Sequence, residues 1–191
     1  MYESIEFHIR GVSPLLLHNG QLANPLNEFS KALKEVSSKR QKQDSDHIEM
    51  QRIEFLGGLY LNDAGHPAFP GENIESAMIA GCKKNKLGNN AKAGIICDGI
   101  WPIIYDGPKK SAELYTHKGF VDTRGVKLNG KVTIMRTRPI FRKWELKFTI
   151  QFLPDQLNRK QVVDAMVIVG RQIGFGDYKP KFGRFEVVEA K

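Results

Sequence analysis

Between Trp144 and Phe152 apolar and polar residues alternate without a break: Trp144, Leu146, Phe148, Ile150 and Phe152 against Glu145, Lys147, Thr149 and Gln151. Successive side chains of a strand point to opposite faces, so the pattern predicts a strand with one dry face and one wet face. A dry sheet face has to be covered by a second layer, which points to an antiparallel sheet packed on helices. The opening residues repeat the signal, with Ile5, Phe7 and Ile9 against Glu6, His8 and Arg10. Residues 132–138 read as one more strand, expected to pair with 144–152.

Helical periodicity fills the gaps. Pro70-Gly71 leads into Ile74, Ala77, Met78, Gly81 and Cys82, an i, i+3, i+4, i+7, i+8 face. Glu72 and Glu75 suit the positive end of that helix, and Lys83, Lys84 and Lys86 suit the negative end. Asn158 is placed to cap a helix whose Val162, Val163, Met166, Val169 and Ile173 face inward. Asn24-Pro25 reads as the start of a short helix through Leu26, Phe29, Leu33 and Val36, and a second helix is expected through Ile48, Phe55 and Leu56 to Gly57-Gly58. A closing strand spans Phe185–Glu189. With the insertions removed, the order is a split βαβ, an α+β ferredoxin-like or RNA-recognition-type core. The chain then reads as a single domain, 1–191, with a helical insertion at about 14–66 and a projecting hairpin within about 88–131.

The chain has 191 residues, 41% of them hydrophobic, enough for a substantial core, and a net charge of +8 that favours polyanionic partners. No run reaches the roughly 20 apolar residues that span a bilayer, so no membrane contact is expected and the predicted location is the cytoplasm. Cys82 and Cys97 fit no metal or redox spacing and read as buried thiols.

Charge is concentrated. Between Arg124 and Lys147, the cations Arg124, Lys127, Lys131, Arg136, Arg138, Arg142, Lys143 and Lys147 face one acid, Glu145. Arg136 and Arg138 are two apart, hence on one face of a strand, a spacing suited to successive phosphates. The stretch Gly170–Phe185 interleaves Gly170, Gly174, Gly176 and Gly183 with Phe175, Tyr178, Phe182 and Phe185 and with Arg171, Lys179, Lys181 and Arg184. Two readings fit it. Its N–H groups and cations cradle a nucleic-acid backbone while Phe175 or Tyr178 stacks on a base, or it is a turn with its aromatics in the core.

Catalytic signatures are lacking. There is no nucleophile elbow, no phosphate-binding Walker loop and no metal-ligand spacing among the histidines, so neither cofactor nor metal is expected. Gly174-Phe175-Gly176 follows a helix, unlike a dinucleotide loop. His18, just past the first strand, is the one residue that reads as a candidate general base.

Three landmarks together resemble the RAMP superfamily, the repeat-associated proteins of CRISPR effector complexes: Phe7–Asn19 as first strand and turn, Pro67–Ala77 as the proline-glycine helix start, and Ile173–Phe185 as the glycine loop. Leu56–Tyr60, Met135–Phe141 and Gly176–Phe185 are also similar to a family of small uncharacterised proteins of tailed phages and prophages. The first resemblance implies a backbone-type RNA-binding protein whose copies stack side by side on a single strand, with 88–131 as its thumb.

The expectation is a non-catalytic single-strand binder, RNA before DNA, homo-oligomeric, in a bacterial host cell. Its contacts are expected at Arg124, Lys127, Arg136, Arg138, Arg142, Lys143, Arg171, Phe175, Tyr178, Lys179, Lys181 and Arg184. The alternatives are a metal-independent endoribonuclease of the RAMP type using His18, and a phage protein that mimics a backbone subunit to interfere with a host CRISPR complex.

Overall fold

A computed structural model describes residues 1–128 and 132–191. The fold is mixed α+β with antiparallel sheets. In chain order its elements begin β1 (Glu3–Gly11), β2 (Leu15–Leu16), α1 (Glu28–Ser37), α2 (Asp44–Gly58), β3 (Ala68–Pro70), α3 (Gly71–Lys84), α4 (Gly88–Gly94) and β4 (Ile95–Ile96). They continue β5 (Ile100–Pro102), α5 (Ser111–Thr116), β6 (Val121–Leu128), β7 (Val132–Phe141), β8 (Glu145–Phe152), α6 (Arg159–Ile168) and β9 (Phe185–Ala190). No helix among the described residues is long and apolar enough to cross a membrane.

The chain forms two compact units. The first joins Met1–Leu16, Leu61–Asp106 and Phe141–Lys191, and the second joins Leu17–Tyr60 and Gly107–Ile140. The stretch expected to project is therefore shared: 88–106 belongs to the first unit and 107–128 to the second, while 129–131 lie outside the described residues.

The first unit is built on a four-stranded sheet in the order β4-β8-β1-β9, antiparallel throughout. Ile5, Phe7 and Ile9 lie opposite Ile150, Phe148 and Leu146 in register, and all six are at most 2% exposed. Burying each such side chain contributes about 1.5–3 kcal/mol. Helix α3 lies between β1 and β4 in sequence, α6 lies between β8 and β9, and the two helices pack on each other. Gly81 makes that packing possible, because a Cβ there would stand 2.9 Å from the Ala165 carbonyl oxygen. The Pro70-Gly71 start has a similar cause. Gly71 passes so close to Cys97 that a Cβ would lie 1.9 Å from its carbonyl oxygen.

Three expectations are corrected here. Helix α1 is capped by Asn27, whose side chain accepts from the Phe29 N–H, while Asn24 makes a turn with the Leu26 N–H and Leu26 stays 75% exposed. Strand β7 pairs along its length with β6, from Val121↔Pro139 to Leu128↔Val132, and β8 takes β1 and β4 as neighbours. The dry face of β8 needs the equally apolar face of β1, which the outer, exposed half of β7 cannot supply. The last helix ends at Ile168 and widens into a π-turn over Val169–Ile173, closed by the Gly174 N–H on the Val169 carbonyl at 2.7 Å.

In the second unit α1 packs on α2, Phe55 meets Tyr115 of α5 at 5.2 Å between ring centroids, and β6 and β7 form a long hairpin. Gly57 lets α1 approach, since a Cβ would lie 2.9 Å from the Phe29 Cβ.

Candidate nucleic-acid interface

The glycine stretch belongs to the first unit, and its backbone is turned inward. The Phe175 N–H donates to the Gly183 carbonyl (2.9 Å), Asp177 N–H to Leu16 (2.7 Å) and Gly183 N–H to Pro14 (2.8 Å). The Arg184 N–H donates to the Ser13 Oγ at 2.9 Å and the Tyr178 N–H to the Asp177 carboxylate at 2.8 Å. These amides close the loop on itself and on residues 13–16, and do not point at a ligand. Gly174, Gly176 and Gly183 all have φ near +70 to +80°, at +79, +71 and +72, and a Cβ at Gly183 would fall 1.8 Å from the Phe175 carbonyl oxygen. Close backbone approach, rather than room for a phosphate, is what requires glycine here.

Phe175 is not a stacking platform. It is 1% exposed, with ring centroids 5.2 Å from Phe69, 4.6 Å from Phe185 and 6.3 Å from Phe148. Such clustered rings supply much of a core's cohesion. Of the two sequence readings, the aromatic-core one holds for Phe175 and Phe185. Tyr178, 43% exposed, stands on the outside with φ +60° and its ring 5.8 Å from Phe182.

The loop's cations do face solvent. Arg171, Lys179, Lys181 and Arg184 are exposed, as are Arg142 and Lys143 in the turn between β7 and β8. Main-chain lacing brings them together. The Gly11 N–H donates to the Trp144 carbonyl at 2.9 Å, and the Val12 and Ser13 N–H groups share the Arg184 carbonyl at 2.8 and 3.1 Å. The Trp144 indole N–H donates to the Ser13 carbonyl at 2.8 Å, and the Arg184 Nε to the Pro180 carbonyl at 2.9 Å. One end of the sheet therefore carries Arg142, Lys143 and Arg184, with Lys179 and Lys181 folded beside Arg184. Arg171 and Arg184 line a common cleft of about 490 Å³. None of these six cations makes an ion pair among the described residues.

The second unit's cations are placed differently. Arg136 and Arg138 do share a face of β7, but Arg136 is taken up by Glu54 of α2. The Arg136 guanidinium pairs with the Glu54 carboxylate, whose other oxygen accepts the Thr137 N–H at 2.8 Å, and Arg138 is 8% exposed. The expected pair of solvent-facing phosphate ligands is instead one ion-paired guanidinium, 37% exposed, and one buried guanidinium. Arg124 pairs with Asp122 two residues before it, while Lys127 is exposed on β6. Lys131 lies outside the described residues. His18 is exposed and borders a cavity of about 280 Å³ together with Glu54, Arg136, Thr137 and Arg138.

Sequence reasoning passed over the wet face of the first sheet. His8 Nε2 lies 2.5 Å from a Glu145 oxygen, and Arg10 Nε donates to the other at 2.9 Å. Hydrogen bonds from Arg10 first and His8 second hold the Glu145 carboxyl below the usual carboxylate range. The strand register, with Arg10 opposite Glu145, was the only signal that could have found this. Both cysteines are buried, and burial pushes the Cys82 thiol up to about 11 and Cys97 up to about 12. Among the described residues no group of three or more His, Cys, Asp or Glu is placed to hold a metal ion.

No family model matches the chain, nor does any curated protein sequence.

Proposed function

We propose that the protein binds single-stranded nucleic acid, RNA before DNA, without cleaving it, and that the basic end of the first unit makes the contact. One observation carries the reading: six exposed cations, Arg142, Lys143, Arg171, Lys179, Lys181 and Arg184, gather at one sheet end with no acid paired to them among the described residues. Unpaired cations keep their counterions until a polyanion replaces them, and the released counterions supply the affinity. The core is inferred to be ferredoxin-like. Its support is the order β4-β8-β1-β9, with α3 among the helices between β1 and β4, α6 between β8 and β9, and α3 packed on α6. Side-by-side assembly, as the RAMP resemblance implies, is part of the same proposal.

Fluorescence anisotropy with labelled single-stranded RNA, single-stranded DNA and duplex, across a salt series, tests it. Six phosphate contacts on a single strand give a log–log salt slope of about −4. A fixed number of nucleotides per protein marks assembly along the strand. Equal or tighter binding to duplex, or a flat salt response, refutes the proposal.

A further inference from the structure

The cleft that Arg171 and Arg184 share has a floor unlike its rim. Val12, Val167 and Val187 line it beside Gly170 and Phe185, and Glu186, paired with Arg10, stands at its edge. Val12 is 64% exposed, an aliphatic side chain standing in solvent at the point where β1 ends. The site is shaped by two local features. The π-turn Val169–Ile173 follows directly on α6 and carries Arg171 on its outer side, and single π-turns inside helices recur at functional sites. Gly170 lies against β9 so closely that a Cβ would stand 2.3 Å from the Phe185 carbonyl oxygen, which holds the helix end against the first residue of the strand. Arg184 is held by its Nε bond to the Pro180 carbonyl at 2.9 Å, and its terminal amino groups make no hydrogen bond or ion pair among the described residues.

We propose that this cleft is a subsite for one whole nucleotide, with the phosphate between Arg171 and Arg184 and the base lying on the valine floor. Pockets that orient a ligand combine an apolar lining with a few placed polar groups, and this cleft has both. At about 490 Å³ it has room for a purine or a pyrimidine with its sugar. Guanidinium groups present forked donors that match phosphate oxygens, whereas the three valines of the floor carry no donor or acceptor to read a base edge, and Glu186, the one acid of the lining, is paired with Arg10 at 3.9 Å. The subsite therefore selects for the presence of a base and not for its identity, and it sets where on the strand the protein sits. This rests on the nucleic-acid reading above and adds to it a single position at which the base itself is held.

An abasic walk tests it. The shortest single-stranded oligonucleotide that binds fully is made as a series, each member lacking one base, and affinities are read by anisotropy with the full-length protein. The expected result is one position at which losing the base weakens binding about tenfold, in line with the 1–3 kcal/mol per base typical of seated bases. Val12→Glu sits on an exposed position and leaves the melting temperature unchanged, yet removes that position-specific effect. Val167→Glu, which lines the same cleft as Arg171, gives the same result by placing an anion where the base and phosphate would sit. Arg171→Ala lowers the salt slope by about 1 without changing sequence preference. Intact oligonucleotides that bind with no position standing out, or a position that stays sensitive in Val12→Glu, overturn the subsite and leave the binding proposal in place. Failure of every intact oligonucleotide to bind overturns both.

Discussion

The two richest collections of positive charge in this chain have opposite fates. On β6 and β7 of the second unit, Arg124 and Arg136 are each met by a carboxylate, Asp122 and Glu54, and Arg138 is buried. At the sheet end of the first unit, Arg142, Lys143 and Arg184 stand exposed and make no ion pair among the described residues. In sequence the first group looks the stronger site, because its arginines are dense and regularly spaced. In three dimensions, pairing decides. A cation already held by a carboxylate contributes to the fold, and a solvent-facing one remains available to a polyanion.

The sharpest test of that contrast starts in the core beneath the basic end. Phe175→Ala should cost about 3–5 kcal/mol in denaturant unfolding, as large-to-small changes at buried aromatics do. If instead stability holds and nucleic-acid affinity collapses, Phe175 is a ligand contact and the division between core and surface fails. Next in size, replacing Arg142, Lys143 and Arg184 together by Ala should weaken single-strand binding about 30-fold at moderate salt and reduce the salt slope by about 2. The matched control, Arg124→Ala with Arg136→Ala, should leave the slope where it was. A reversed outcome would transfer the interface to the second unit.

Glu54→Gln probes the same contrast from the other side. It leaves the Arg136 guanidinium without its anion and weakens the acceptor for the Thr137 N–H, at a cost of about 1–3 kcal/mol seen as a lower denaturant midpoint. Freed from Glu54, Arg136 should also raise affinity slightly at low salt. The smallest effect expected is acid-dependent. Glu145 titrates below the ordinary carboxylate range in the folded protein, chiefly through Arg10. Its stabilisation is therefore complete above that range and is lost as pH falls through the depressed value. Melting curves of Glu145→Gln should lack this part of the acid decline.

Local features of the fold were legible in the sequence. The alternation in β8, the buried face of α3 and the Asn158 cap of α6 each depend on residues within a turn or two of one another. Pairing was not legible. Glu54 and Arg136 are separated by 82 positions, and His8 and Glu145 by 137, so no local pattern connects them. The glycine stretch was readable only as two alternatives, because a loop made for close backbone packing and a loop made for phosphates use the same residue for the same steric reason. The acceptors that separate the two, Leu16, Pro14 and Ser13, come from the other end of the chain.

That meeting of distant segments has a consequence for synthesis. Strand β1 lies at the centre of the first unit's sheet, between β8 and β9, and Arg10 waits 135 residues for Glu145. At 5–20 residues per second, roughly 7 to 30 s pass on the ribosome between making β1 and making its first neighbour. For that interval the apolar row Ile5, Phe7 and Ile9 has no native strand to lie against, and its protection falls to whatever meets the nascent chain. The order of translation thus makes the earliest strand the last to be sealed.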